Sequence, residues 1–216
     1  MNKNTKLASG LLRFLSVLVD VMIWLMLFLL VLLVISTSFD FSSLLDSLLY
    51  GLIIVIALTT FGAPIINSYI ISKFGGSFGK LLTGTRIVKE DDGTYLNFKM
   101  AFLRNHIGYA VSSLMLGLGF LWLFIDEKKQ AWHDMMVSSL VVVRSKQAYL
   151  MAILSVFFLI MLNVFIANKA YTNIMMNQEL YVRIVEDIKS ELEMINEDEL
   201  LVPEDGLELE EVGLLH

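Results

Sequence analysis

The stretch LLRFLSVLVDVMIWLMLFLL, residues 11–30, is almost pure hydrocarbon and yet carries Arg13 and Asp20. From Phe14 to Ile35 Asp20 is the one charge, and a helix of that length extends roughly 33 Å, enough to cross the ~30 Å hydrocarbon core of a bilayer. Its length and its want of a small-residue cleavage site mark it as a retained span rather than a removed signal peptide. The whole chain agrees: 56% of its 216 residues are hydrophobic and 18% charged, the balance of an integral membrane protein. It has no cysteine, which excludes disulfides, thiolate metal sites and thiol catalysis.

Three further apolar runs follow. Residues 48–71 form a second span interrupted by TTFGAP, where Gly62 and Pro64 predict a bent helix. Residues 107–125 hold Gly117 and Gly119, and residues 150–167 make the last run. Lys3, Lys6 and Arg13 precede the first span, only Asp40 and Asp46 follow it, and six basic residues lie between Lys73 and Arg104. By the positive-inside rule the N-terminus and the long second loop face the cytoplasm.

A full crossing by residues 107–125 would put Lys128, Lys129, Arg144 and Lys146 outside, against that rule. The strand signals matter too. TRIVKEDDGTYLN (85–97) reads as a β-hairpin around its DDG turn and SSLVVVR (138–144) as another strand, and a three-stranded element needs all of them on one side. The preferred reading is therefore a re-entrant 107–125 segment, with a full crossing as the alternative. The expected fold is an α-helical integral membrane protein of three to four hydrophobic helices, with the re-entrant or hairpin segment and a small cytoplasmic β-hairpin or three-stranded element.

From residue 168 onward the chain has 13 acidic residues against Lys169, Arg183 and Lys189. The tail's balance of −10 leaves +4 on residues 1–167, so it alone sets the overall −6. Ile174, Tyr181, Val185, Ile188, Leu192 and Ile195 form an apolar stripe, which predicts an amphipathic acidic helix over about 172–197 and a flexible end. That helix either packs back on the protein or docks a partner.

The residues resemble the RDD family of bacterial membrane proteins, named for one arginine and two aspartates. Arg13 and Asp20 match its first-span signature; GGSFGKLLTGTRIV (75–88) matches its Gly-rich stretch; Leu103, Arg104 and Asn105 match its Leu-Arg-Asn; and KKQAWHDMMVSSLVVV (128–143) matches its closing pattern, which makes Asp134 the second aspartate. Ser77 and Phe78 stand where the family usually has Thr and Pro. The resemblance implies an RDD-like membrane domain over residues 1–146 in a bacterial inner (cytoplasmic) membrane. Residues 147–168, an additional transmembrane helix, and the 169–216 tail lie beyond it. Most members have no assigned activity; cation and proton exchange has been proposed for some.

Arg13 and Asp20 lie on one helix face with Ser16 between them, about 10 Å apart along the axis. An unpaired carboxylate at that depth costs roughly 2.5 to 3.5 kcal/mol, so Asp20 needs a proton or a partner, with Lys80, Arg104 and Arg13 as candidates. Arg13, Asp20 and Asp134, supported by Ser16, Lys80 and Arg104, are the expected functional site. Two readings stay open. The carboxylates bind a monovalent cation or shuttle a proton in transport, where so few spans imply a homo-oligomer or a membrane partner. Alternatively, the charges lock the loops to the helices in a non-catalytic scaffold, or in a regulator acting through the acidic tail.

No enzymatic activity is expected. GGSFGKLLTGT lacks the glycine five positions before Gly79 and the Ser or Thr after Lys80 of a phosphate loop. His133 beside Asp134, without further histidines close by, reads as a hydrogen-bonding or capping pair, so no metal and no cofactor are predicted. The basic residues are explained by topology and lipid headgroups, so no nucleic acid is expected.

Overall fold

The computed structural model describes residues 6–38, 40–114 and 116–200. Helix α1 (Gly10–Ile35) begins at Ser9, whose hydroxyl caps the Leu12 amide, and buries only a narrow stripe that includes Leu12, Arg13, Ser16 and Val19. Many of its other apolar side chains, Phe14, Val17, Val21 and Val34 among them, are exposed, as they are on a helix solvated by lipid. Helices α2 (Phe41–Ala57) and α3 (Ala63–Phe74) form the return. The interruption expected at Gly62 and Pro64 is a π turn, Leu58–Gly62. Proline has no N–H and crowds the carbonyl four residues back. The wider turn absorbs this, with the Ala63 amide reaching back to the Leu58 carbonyl.

The third run is sharply bent. Helix α4 (Phe78–Leu82) and strand β1 (Thr85–Lys89) lead to α5 (Phe98–Phe102), a π turn at Leu103–Gly108, and α6 (Tyr109–Leu114). The chain then turns by 108° into Leu118–Phe124, which opens with helix α7 (Leu118–Leu121). Leu116 and Gly117 make the corner with φ of 52° and 81°, a region that costs an L-residue about 1–2 kcal/mol. Gly119 lets the arms close: a Cβ there would lie 2.6 Å from Cα of Ser112.

The sheet departs from expectation. Helix α8 (Trp132–Met135) precedes strand β2 (Ser139–Val143), and β2 pairs antiparallel with β1, Ile87 opposite Val141. The sheet has two strands, and residues 94–96 add no third. Asp92 accepts bonds from the amide and hydroxyl of Thr94, and Asn97 caps α5 through the Met100 amide. Those turn and cap residues use up the chain that the hairpin needed. Leu7 instead forms a bridge to Val142, with Ala8 donating to Val141 O and Val143 to Lys6 O.

Helix α9 (Ala148–Met176) runs parallel to α1 along its length. Ser9 meets Tyr149, Asn163 donates to the Met22 carbonyl, and Asn173 donates to Ser36. The return helix runs the other way, since Gly51 lies against Val31 and Ile35 while Ile71 shares a cavity wall with Val17 and Asp20. The starts of α1 and α9 and the whole 75–147 segment therefore gather at one end. The main core lies there, where Leu12, Ile71, Ile87, Leu96 and Val141 join the helices to the sheet. Helix α10 (Gln178–Leu200) leaves from the opposite end, where Tyr181 bonds the Ser36 carbonyl. On the expected apolar stripe Val185, Leu192 and Ile195 are exposed, while the neighbouring Ile184 is buried; the acidic end from residue 201 lies outside the described residues. Among the described residues, three helices are long and apolar enough to cross a membrane, and the bent pair is a fourth if counted as one span.

Candidate functional site

Three charged side chains from distant parts of the chain meet beneath the first turns of α1. Arg13 donates from Nη1 to Oδ2 of Asp134 at 2.6 Å. Arg104, carried on the second π turn, donates from Nε at 3.0 Å and from Nη2 at 2.5 Å to Oδ1 of the same carboxylate. The Ala131 amide and the Ser139 hydroxyl also donate to it. Asp134 and Arg104 are both at or below 1% exposure. A carboxylate this dry is stable only with its lone pairs filled by charged and neutral donors. Burial alone would raise its pKa, but the adjacent Arg104, together with Arg13, outweighs burial and holds the carboxyl well below the ordinary carboxylate range.

His133 shares the burial of Asp134 but stays neutral. Burial first, and then the charge of Arg104, push its pKa down to about 3. Its ring lies against Tyr109 and Phe120, with Nδ1 3.5 Å from the Ser112 hydroxyl.

Asp20 belongs to a second cluster. Its expected partners Lys80, Arg104 and Arg13 are not bonded to it; the Ser77 hydroxyl and the Gly79 amide each donate to it at 2.6 Å. The contact depends on glycine, since a Cβ on Gly79 would stand 2.0 Å from the Ser16 carbonyl oxygen. Ser16 contributes that close passage, while its hydroxyl donates to the Arg13 carbonyl within α1. Charge reasoning had favoured a cation for Asp20; a hydroxyl and an amide are as effective once backbone packs this closely.

Lys80 stands between the clusters. It is 5% exposed, and it lines both a cavity of about 350 Å³ shared with Arg13, Arg104 and His133 and a second of about 300 Å³ shared with Asp20, Thr59 and Asn67. The sequence signals for the Asp20 contact are Ser77 and Gly79, two residues apart in a Gly-rich turn.

The RDD family model matches residues 7–138, more than half of the chain. The chain belongs to the RDD family. No curated protein and no solved structure matches it. In this RDD protein Arg13 and Asp134 form one buried ion pair, Asp20 holds the Gly-rich turn to the same helix as Arg13, and Arg104 closes the pair from the π turn. Among the described residues no cluster of three or more His, Cys, Asp or Glu that could hold a metal is present.

Proposed function

We propose that this RDD membrane protein is a non-catalytic scaffold of the bacterial cytoplasmic membrane, in which buried charges lock a cytoplasmic loop domain onto the spanning helices. The observation that carries this reading is the full occupancy of Asp134: both oxygens accept bonds from arginines 91 residues apart in sequence. Such a carboxylate is a poor site for an exchanging cation or proton, because releasing either arginine leaves a buried charge unpaired. The parallel course of α1 and α9 supports a re-entrant 98–124 segment, with the N-terminus and residues 75–147 inside and α10 outside. The exposed apolar residues Val185, Leu192 and Ile195 on α10 suit contact with a partner membrane protein.

Cation or proton exchange is the second reading, and one observation favours it. The cavity beside Asp20 is lined by Asn67 and His106, whose Oδ1 and Nε2 are buried without a hydrogen-bond partner. Flux measured in vesicles holding the purified protein decides between the two. The scaffold reading expects cation and proton flux equal to that of empty vesicles, for wild type and for Asp20→Asn. Flux above empty vesicles that Asp20→Asn abolishes while the protein stays folded establishes exchange instead.

A further inference from the structure

The larger cavity, near the start of α1, has a basic wall whose charges are not balanced within the protein. Arg13 spends only Nη1 on Asp134; its Nε and Nη2 are buried and have no hydrogen-bond partner. Those two groups form the edge of the guanidinium that grips an oxyanion with two parallel bonds. Lys80 is buried as a residue, and its ammonium has no hydrogen-bond or ion-pair partner among the described residues. With Arg104, three cations face the cavity against Asp134, which is already shared by the two arginines. Of the other groups nearby, Asp20, held by Ser77 and Gly79, adds one carboxylate and His133 is neutral, so the three cations still outnumber the carboxylates. Buried charged N–H groups without acceptors are costly, and an excess of cations favours an anion as the acceptor.

The rest of the cavity states what kind of anion. Its other lining is apolar, including Val17, Phe120 and Leu123, and its rim side chains Phe14, Leu121 and Phe124 are 62%, 55% and 70% exposed. In a membrane that rim faces lipid. The α1 helix has 26 residues, about 39 Å against a ~30 Å hydrocarbon core, so its first turn, with Arg13, reaches headgroup depth. We infer that this cavity is a binding site for one anionic phospholipid, its phosphate held by the free edge of Arg13 and by Lys80, and its acyl chains leaving between Phe14 and Phe124. The site rests on the membrane location of the protein and not on its scaffold role.

Native mass spectrometry of the full chain in detergent, with phosphatidylglycerol or phosphatidylcholine added, tests this without measuring flux. One phosphatidylglycerol per chain is expected, retained well above phosphatidylcholine. Lys80→Gln, which leaves the Asp134 cluster untouched, should lower that retention about five- to tenfold, the scale of one basic residue facing an anionic headgroup. Equal retention of the two lipids by the wild type overturns the site, whether or not the variant folds. So does unchanged retention by a folded Lys80→Gln. Millimolar inorganic phosphate that displaces phosphatidylglycerol completely would make it a site for a free anion and overturn the lipid assignment.

Discussion

Arg13 and Asp134, 121 positions apart, lie 2.6 Å from one another with side-chain exposures of 8% and 0%. The pair fastens the first helix to the segment that ends the RDD match, and removing one member leaves the other buried. Asp134→Asn should therefore cost about 3–5 kcal/mol, the range for breaking a buried pair. Thermal unfolding in detergent reads it; a loss under ~1 kcal/mol, the scale of a surface pair, would mean that the contact is not buried in the membrane-embedded protein.

Acid should destabilise the protein in two stages. His133 has a folded pKa of about 3 against an ordinary 6.5, so the unfolded chain takes up the proton first. Its contribution is complete above pH 6.5 and shrinks as pH falls toward 3. Asp134, also depressed, contributes fully above the ordinary carboxylate value of 3.8 and loses stability below it. The unfolding temperature measured from pH 8 to pH 4 should decline mainly below pH 6.5, and His133→Phe should flatten that decline. An identical slope in the variant would assign it to other groups.

Gly79→Ala introduces a Cβ 2.0 Å from the Ser16 carbonyl, so the Gly-rich turn must move away from α1 and release Asp20. The expected cost is about 1–3 kcal/mol, as for other overpacked contacts. Combined with Asp20→Ala it should be less than additive, because both changes open one contact. A double-mutant cycle with full additivity would separate the two.

Cysteine labelling of this cysteine-free chain tests the topology. Lys146→Cys and Ser190→Cys are both at exposed positions. A membrane-impermeant thiol reagent on intact cells should label residue 190 and spare residue 146. Labelling only residue 146 would show a full crossing by the bent segment.

What the sequence revealed followed from strong local signals. The spans were legible because lipid demands long unbroken apolar runs, and the corner at Gly117 because few residues but glycine accept its φ of 81°. Buried charges need partners, which made Arg13 and Asp134 legible as members of one site; Arg104, expected at Asp20, pairs with Asp134 instead. Three things were hidden. The outer strand expected at residues 94–96 gave way to Asp92 and Asn97, whose turn and cap preferences are short-range and do not reveal which competitor wins. The place beside β2 went to Leu7, part of a helix lead-in with no strand pattern. The hold on Asp20 came from an amide, which every residue but proline has, so no residue type marks it.

The separation of Arg13 from its partner also sets a clock. Ribosomes add about 5–20 residues per second, so the 121 residues between Arg13 and Asp134 take roughly 6 to 24 s to appear. Throughout that interval the first helix is in the membrane with its arginine unmatched, held at the water boundary only by the reach of its own side chain. The buried pair is therefore completed late, after two helices and a bent segment have been made. A nascent chain stopped before Asp134 carries Arg13 without its buried partner.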